Sequence, residues 1–364
     1  MANSEIPMAS RDLGHIDALR AHLLAGHVIP AHPLALTSSR SIDEKHQRAL
    51  ARYYIAAGAG GIAVGVHTTG FPIHDVKIGL YEPVLALAAE TASSALIDRC
   101  DFVRVAGIIG DTTQALREAA IATKLSYHCG LLSLGAWRNA SDAEILAHCR
   151  EVAEAIPLFG FYLQPAVGGR VLSYEFWREF AEIPRVVAIK VAPFNRYATL
   201  DVVRAVADSG RRDIALYTGN DDAIVADLIA DLPIDDIAIR APRFVGGLLG
   251  QWAVWTHSAV QLLNEIRSWR AQDQSSVPRH WLSYGSALTE ANAAIFDVQH
   301  NFSGCLPGIL EVLRQQGLVQ NTLTFDAHEQ LSPGQVEAIN ATRIRYPELT
   351  DDAFVAEHID EWLG

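Results

Sequence analysis

Between Gly26 and Arg270 the sequence alternates short apolar runs with longer amphipathic stretches, and this rhythm restricts the fold more than any other feature. Apolar runs fall at residues 27–31, 61–66, 102–108, 130–134, 158–163, 186–190, 214–217 and 237–239, and we read each as a strand. Segments of helical period follow them, among them 41–57, 111–124, 141–156, 173–181, 199–207, 221–229 and 248–269. Ser41, with Glu44 three residues on, predicts a capping box at the first of these. Strands apolar on both faces need cover on both faces, which a parallel sheet flanked by helices supplies. Eight such units predict an α/β fold, a closed (β/α)8 TIM barrel, with an open doubly wound sheet as the competing arrangement.

Around this core, residues 1–25 read as an N-terminal extension and residues 26–270 as the barrel. After a polar patch at 271–278 the pattern is helical at 288–298, 307–316, 334–342 and 351–362, which makes 271–364 a C-terminal helical region. No internal repeat is present.

Charge and cysteine usage narrow the partners. The chain of 364 residues carries 29 Lys plus Arg against 42 Asp plus Glu, a formal net charge of −13, with no dense basic block. Nucleic acid and anionic membranes are therefore poor partners. Cys100, Cys129, Cys149 and Cys305 lie far apart without a C-x-x-C pair, so they read as reduced thiols of a cytoplasmic protein. No signal-peptide core opens the sequence and no apolar run reaches membrane-spanning length, so neither feature is expected.

Barrel enzymes carry their chemistry at the C-terminal ends of the strands, which makes the strand-end residues the candidates. These are His32, then His67, Thr68 and Thr69, then Tyr162 and Gln164, Lys190, the run Tyr217-Thr218-Gly219-Asn220, and Arg240. Lys190 ends the run Val-Val-Ala-Ile-Lys among apolar neighbours. Desolvation there favours the neutral amine, the form that attacks a carbonyl; the plain alternative is a lysine paired with a neighbouring carboxylate. Tyr162, one strand earlier, is read as a phenol within reach of a substrate on Lys190, or else as a tyrosine of the barrel core. Thr68 and Thr69 offer hydroxyls for a carboxylate. The run 246–250, Gly-Gly-Leu-Leu-Gly, is either a phosphate loop or a tight turn. The 14 histidines show no zinc spacing, and no metal is assigned.

Taken in order, Thr68-Thr69-Gly70, Phe161-Tyr162 with Pro165 and Gly169, Val187–Lys190 and Thr218-Gly219-Asn220-Asp221 give the chain a resemblance. It resembles the dihydrodipicolinate synthase and N-acetylneuraminate lyase family over about residues 26–270, the Tyr-to-Lys separation included. The resemblance implies a cofactor-independent class I aldolase barrel acting on pyruvate or a related 2-oxo acid together with an aldehyde. It makes Lys190 the Schiff-base lysine, Tyr162 the catalytic tyrosine, and Thr68 and Thr69 the carboxylate pair. Gly219, Asn220 and Arg240 are expected to bind substrate, and a homo-oligomer, dimer or tetramer, is implied as well.

Four departures qualify this. His67 replaces the first glycine of the threonine motif, Phe71 stands where that motif has an acid, Val167 where the synthases carry an arginine, and Trp137 where a neighbouring subunit lends a tyrosine. They predict an electrophile other than that of dihydrodipicolinate synthase itself, neutral, aromatic or apolar, with Arg170 and Arg240 as the visible replacements for the arginine. The competing readings are a metal-dependent barrel aldolase or hydrolase using His32 and His67, and a barrel that binds a small acid without turning it over.

Overall fold

A computed structural model describes residues 13–96, 101–231, 242–272 and 276–364. Eight parallel strands follow the chain: β1 (Val28–Pro30), β2 (Gly61–Val64), β3 (Val103–Ile108), β4 (Cys129–Leu132), β5 (Leu158–Leu163), β6 (Val186–Ala192), β7 (Ala215–Thr218) and β8 (Phe244–Leu249). From β2 onward each pairs with the next in sequence, and β8 pairs with β1. The ring is completed by a parallel bridge between Ala31 and Ala63, where the His32 N–H donates to the Ala63 carbonyl at 2.8 Å. The fold is a (β/α)8 barrel followed by helices, and its strands are buried on both faces as their composition demands.

The closing strand is not the expected one. Residues 237–239 lie outside the described residues, and β8 runs through the glycine-rich segment read as a turn or phosphate loop. Its glycines serve packing. A Cβ on Gly246 would stand 2.3 Å from the His27 carbonyl oxygen, and one on Gly247 2.6 Å from the Trp252 ring. The helix expected from Leu248 therefore begins only at Thr256, after the strand has ended.

The first helix after β1, Glu44–Ala56, is capped by Asp43 rather than Ser41: the Asp43 carboxylate accepts the His46 N–H at 3.2 Å. Ser41 is occupied elsewhere, its N–H donating to the Thr37 hydroxyl at 3.2 Å. An aspartate at this position also places negative charge against the helix N-terminus. A complete capping box occurs instead at Ser141 with Glu144.

Residues expected as an extension form the helix Ile16–Ala25, whose Leu19 and Leu23 join the barrel-interior cluster. Arg20 pairs with Asp213 at 3.0 Å and donates to the Pro184 carbonyl, fixing the helix beside the N-terminal ends of β6 and β7. The helix Tyr81–Ala95, which the sequence reading did not single out, follows β2. Beyond the barrel lie helices Arg279–Ile295, Cys305–Gln315, Gln335–Arg345 and Asp352–Leu363. The last packs against Glu44–Ala56, and the segment from Phe296 to Ile309 reaches the barrel mouth. Among the described residues no helix is long and apolar enough to cross a membrane.

Candidate active site

A cavity of about 60 Å³ opens at the C-terminal ends of the strands with Lys190 on its wall. Lys190 is 8% exposed. Burial lowers its pKa to about 8, opposed by the charge of Asp221, which lines the same cavity. Burial raises Asp221 in turn to about 7, and Lys190 pulls it back. The Asp221 carboxylate accepts the Gln251 N–H at 3.2 Å, which holds it at the end of β7. Burial thus brings an amine and a carboxyl that line one cavity toward neutrality from opposite sides. Gly219 leaves the lysine its room: a Cβ there would stand 2.7 Å from the Lys190 Cε.

The expected partner of Lys190 is turned away. The β5–β6 pairing starts with Leu158 opposite Val186, a register that would bring Tyr162 opposite Lys190. A bulge follows at once, so that Phe159 faces Ala188 and Phe161 faces Lys190. One extra residue reverses which side chains share a face. The Phe161 ring therefore lines the cavity, while Tyr162 packs on Trp177 in the layer between sheet and helices. Its hydroxyl donates to the Leu172 carbonyl and accepts the Leu172 N–H, both at 3.2 Å.

The threonine pair also divides. Thr68 lines the cavity. The Thr69 hydroxyl donates to the His32 carbonyl at 2.7 Å and accepts from the Gly65 N–H at 3.0 Å, so it ties the loop to β1. From behind, His74 hydrogen-bonds the Gly65 carbonyl at 2.7 Å and meets Glu118 at 3.1 Å. His67 and Gln164 line the cavity, and His67 is lowered to about 4 by burial and by Lys190, hence neutral at pH 7.

Asn220 acts through the loop above β6: its amide donates to Thr199 and Asp227, and its oxygen accepts the Phe194 N–H at 3.0 Å. Arg240 lies outside the described residues. Val167 lines the cavity where the resemblance would put an arginine. Arg170 is spent on the carbonyls of Trp137 and Ala140 and on Asp142. Trp137 is held within its own chain, its Nε1–H donating to the Gly110 carbonyl at 3.1 Å. Phe71 packs against His67.

The two histidines of the metal reading do not converge. His32 is fully buried and hydrogen-bonded to the Pro33 carbonyl and Gln47, apart from the cavity that His67 lines. Among the described residues no group of three His, Cys, Asp or Glu side chains is arranged to hold a metal ion.

The sequence reading assigned no role to Asp221, Phe194, Phe296, Phe302, Cys305 or Ile309, all of which line the cavity. Asp221 stood in the quoted motif, and its place just past a strand end was a usable signal. The others depend on loops and helices folding back over the mouth, which no local pattern records.

A barrel with a desolvated lysine at the end of its sixth strand defines the class. Residues 25–230 match the dihydrodipicolinate synthetase family, and the chain belongs to it. The 4-hydroxy-tetrahydrodipicolinate synthase of Acidothermus cellulolyticus is 28% identical over 200 residues, a match that covers 54% of this chain and 60% of that relative's length. Among solved structures, the dihydrodipicolinate synthase of Aquifex aeolicus superposes with a TM-score of 0.71 at 15% identity, covering 90% of this chain and 99% of that one. The N-acetylneuraminate lyase of Fusobacterium nucleatum complexed with pyruvate gives 0.68 at 15% identity, covering 89% and 98%. At these identities the superpositions establish the fold.

Proposed function

We propose that the protein is a Schiff-base-forming carbon–carbon lyase or aldolase that uses pyruvate or a related 2-oxo acid. The observation that carries this is Lys190, the one amine lining the cavity among the described residues, with its pKa brought down to about 8. At pH 7 about a tenth of such an amine is unprotonated and able to attack C2 of the ketone, far more than for an ordinary lysine. The carbinolamine loses water to give a protonated imine, and that cation accepts electrons when the enamine forms or the C3–C4 bond breaks.

Proton transfer in these steps falls to Asp221, which titrates near neutrality and faces the same cavity. Tyr162, to which the resemblance gave this role, has its hydroxyl bound to the Leu172 backbone instead. Thr68 is the hydroxyl available to the substrate carboxylate, with Thr69 holding its loop. Val167 in place of an arginine, and Trp137 fastened within its own chain, argue against dihydrodipicolinate synthase activity as such.

The test is to incubate the protein with pyruvate and other 2-oxo acids, reduce with borohydride and weigh it. A single adduct on Lys190, absent from Lys190→Arg, supports the reading; no adduct with any 2-oxo acid, or labelling spread over surface lysines, overturns it. We further propose a cytoplasmic homo-oligomer, dimer or tetramer, on the strength of the resemblance and the thiol usage. A monomer by light scattering at micromolar concentration would overturn the assembly.

A further inference from the structure

We propose that the electrophile joined to the 2-oxo acid is a neutral aromatic aldehyde, held at the cavity mouth against Phe194 and Phe302. This rests on the Schiff-base reading above and names the second substrate class for the same site.

Phe194 comes from the loop after β6 and Phe302 from the segment before the helix Cys305–Gln315. Their rings meet edge to face with centroids 6.0 Å apart at 71°. Both line the cavity and both are only partly buried, packed against the core on one side and open to the cavity on the other. Each is held in left-handed backbone, at φ 51° and φ 67°, a conformation that non-glycine residues adopt at a cost of about 1 kcal/mol or more.

Separate polar networks hold the two in place. Asn220, anchored by Thr199 and Asp227, accepts the Phe194 N–H. Asp297 is buried; its carboxylate accepts the Gly304 N–H at 3.0 Å and the Ser332 hydroxyl at 2.5 Å, and its carbonyl accepts the Phe302 N–H at 3.0 Å. Backbone strain supported from two sides, with two rings presented to an opening, is an arrangement suited to gripping a third ring.

The charges around the cavity point the same way. Among the described residues Lys190 is its only cationic side chain, and its nitrogen is neutral in the enamine that meets the aldehyde. An aldehyde with its own carboxylate would face Asp221 without a counter-ion. The polar lining, His67, Thr68, Gln164 and Asp221, serves the 2-oxo acid and the proton transfers in this reading, and the wall of Ala192, Phe296, Phe302 and Ile309 is apolar, which suits a ring better than a row of hydroxyls. Phe296, Phe302 and Ile309 come from the helical region beyond residue 230, where the family match ends.

In the forward direction C3 of the Lys190 enamine bonds to the aldehyde carbon, and the aldehyde oxygen takes up a proton. Hydrolysis of the imine then releases a 4-aryl-4-hydroxy-2-oxo acid and restores the amine. No oxidant or reductant is needed.

The experiment has two stages. Borohydride trapping with the 2-oxo acid comes first, and its failure removes the Schiff-base reading and this proposal with it. With trapping established, kcat/KM is compared for benzaldehyde, glyceraldehyde and aspartate semialdehyde. We expect benzaldehyde to lead each of the others by at least tenfold. Phe302→Ala and Phe194→Ala should each lower the benzaldehyde-to-glyceraldehyde ratio at least tenfold, while Phe302→Tyr, which keeps the ring, should retain most of it. A ratio near one in the unaltered protein, or one unmoved in both alanine variants, overturns the proposal and leaves the Schiff-base reading standing.

Discussion

The Lys190 ammonium stands 4.6 Å from the centroid of the Phe161 ring, the residue opposite it in register across β5 and β6. The contact follows from the bulge that separates the Leu158–Val186 pair from the Phe159–Ala188 pair. It gives the lysine an apolar neighbour with a negative π face, which tolerates the protonated amine without fixing it as a carboxylate in direct contact would. The imine formed there keeps the positive charge, so the same ring faces a cation before and after condensation.

Tyr162→Phe separates a structural tyrosine from a catalytic one. The variant loses two hydrogen bonds to the Leu172 backbone, a stability loss of about 2 kcal/mol. Imine trapping should stay within about threefold of the parent protein. A hundredfold loss of turnover at unchanged thermal midpoint would mean that the phenol reaches the substrate, against the register seen here.

The pH profile of imine formation should follow the lysine. Its pKa is lowered to about 8, so the reactive neutral amine gains population as pH rises through that value and the rate levels off above it. Asp221 is the charge that raises the lysine's pKa against the effect of burial. Asp221→Asn removes that charge, which favours the neutral amine and moves the midpoint of imine formation to lower pH. Turnover should nevertheless fall, by tenfold or more, because the proton-carrying group is gone. A midpoint that moves upward, or turnover that is unchanged, would remove Asp221 from both roles.

What the sequence revealed and what it hid can be traced to single residues. The barrel was legible because strands such as β6, buried along its whole length, must be apolar throughout, and Lys190 stood out as the polar residue in that run. The spacing from Tyr162 to Lys190 was legible too, but spacing does not determine register, and one bulged position in β6 exchanged Tyr162 for Phe161. The glycines at 246 and 247 carried the signature of a turn, while their actual constraint is close packing against the His27 carbonyl and Trp252, which only the assembled barrel imposes. Phe302 had no signal: its role depends on the Asp297 network turning a distant segment over the mouth.

Activity is expected to survive exhaustive EDTA treatment, because the protonated imine supplies the electron sink that a metal would otherwise provide. Initial rates before and after chelation make the measurement. Loss of activity restored by added Zn²⁺ would favour the metal-dependent alternative despite the separation of His32 from the cavity.

Gly219→Ala tests whether Lys190 needs the space that glycine leaves. Gly219 is not among the residues at positive φ, so an alanine adds no backbone strain there and its effect is steric. The added methyl would stand 2.7 Å from the Lys190 Cε and 2.7 Å from the Ala192 Cβ, closer than carbon atoms approach without displacement. Ala192 belongs to the buried strand and yields little, so the lysine side chain moves. Overpacking of this kind costs about 1–3 kcal/mol, an amount a barrel of this size survives folded. The displaced amine should form the imine at least tenfold more slowly, a misplacement effect rather than a change in chemistry. Circular dichroism establishes that the variant is folded, and stopped-time borohydride trapping gives the rate. An unchanged rate in a folded variant would show that Lys190 reaches the substrate by a path that does not cross Gly219.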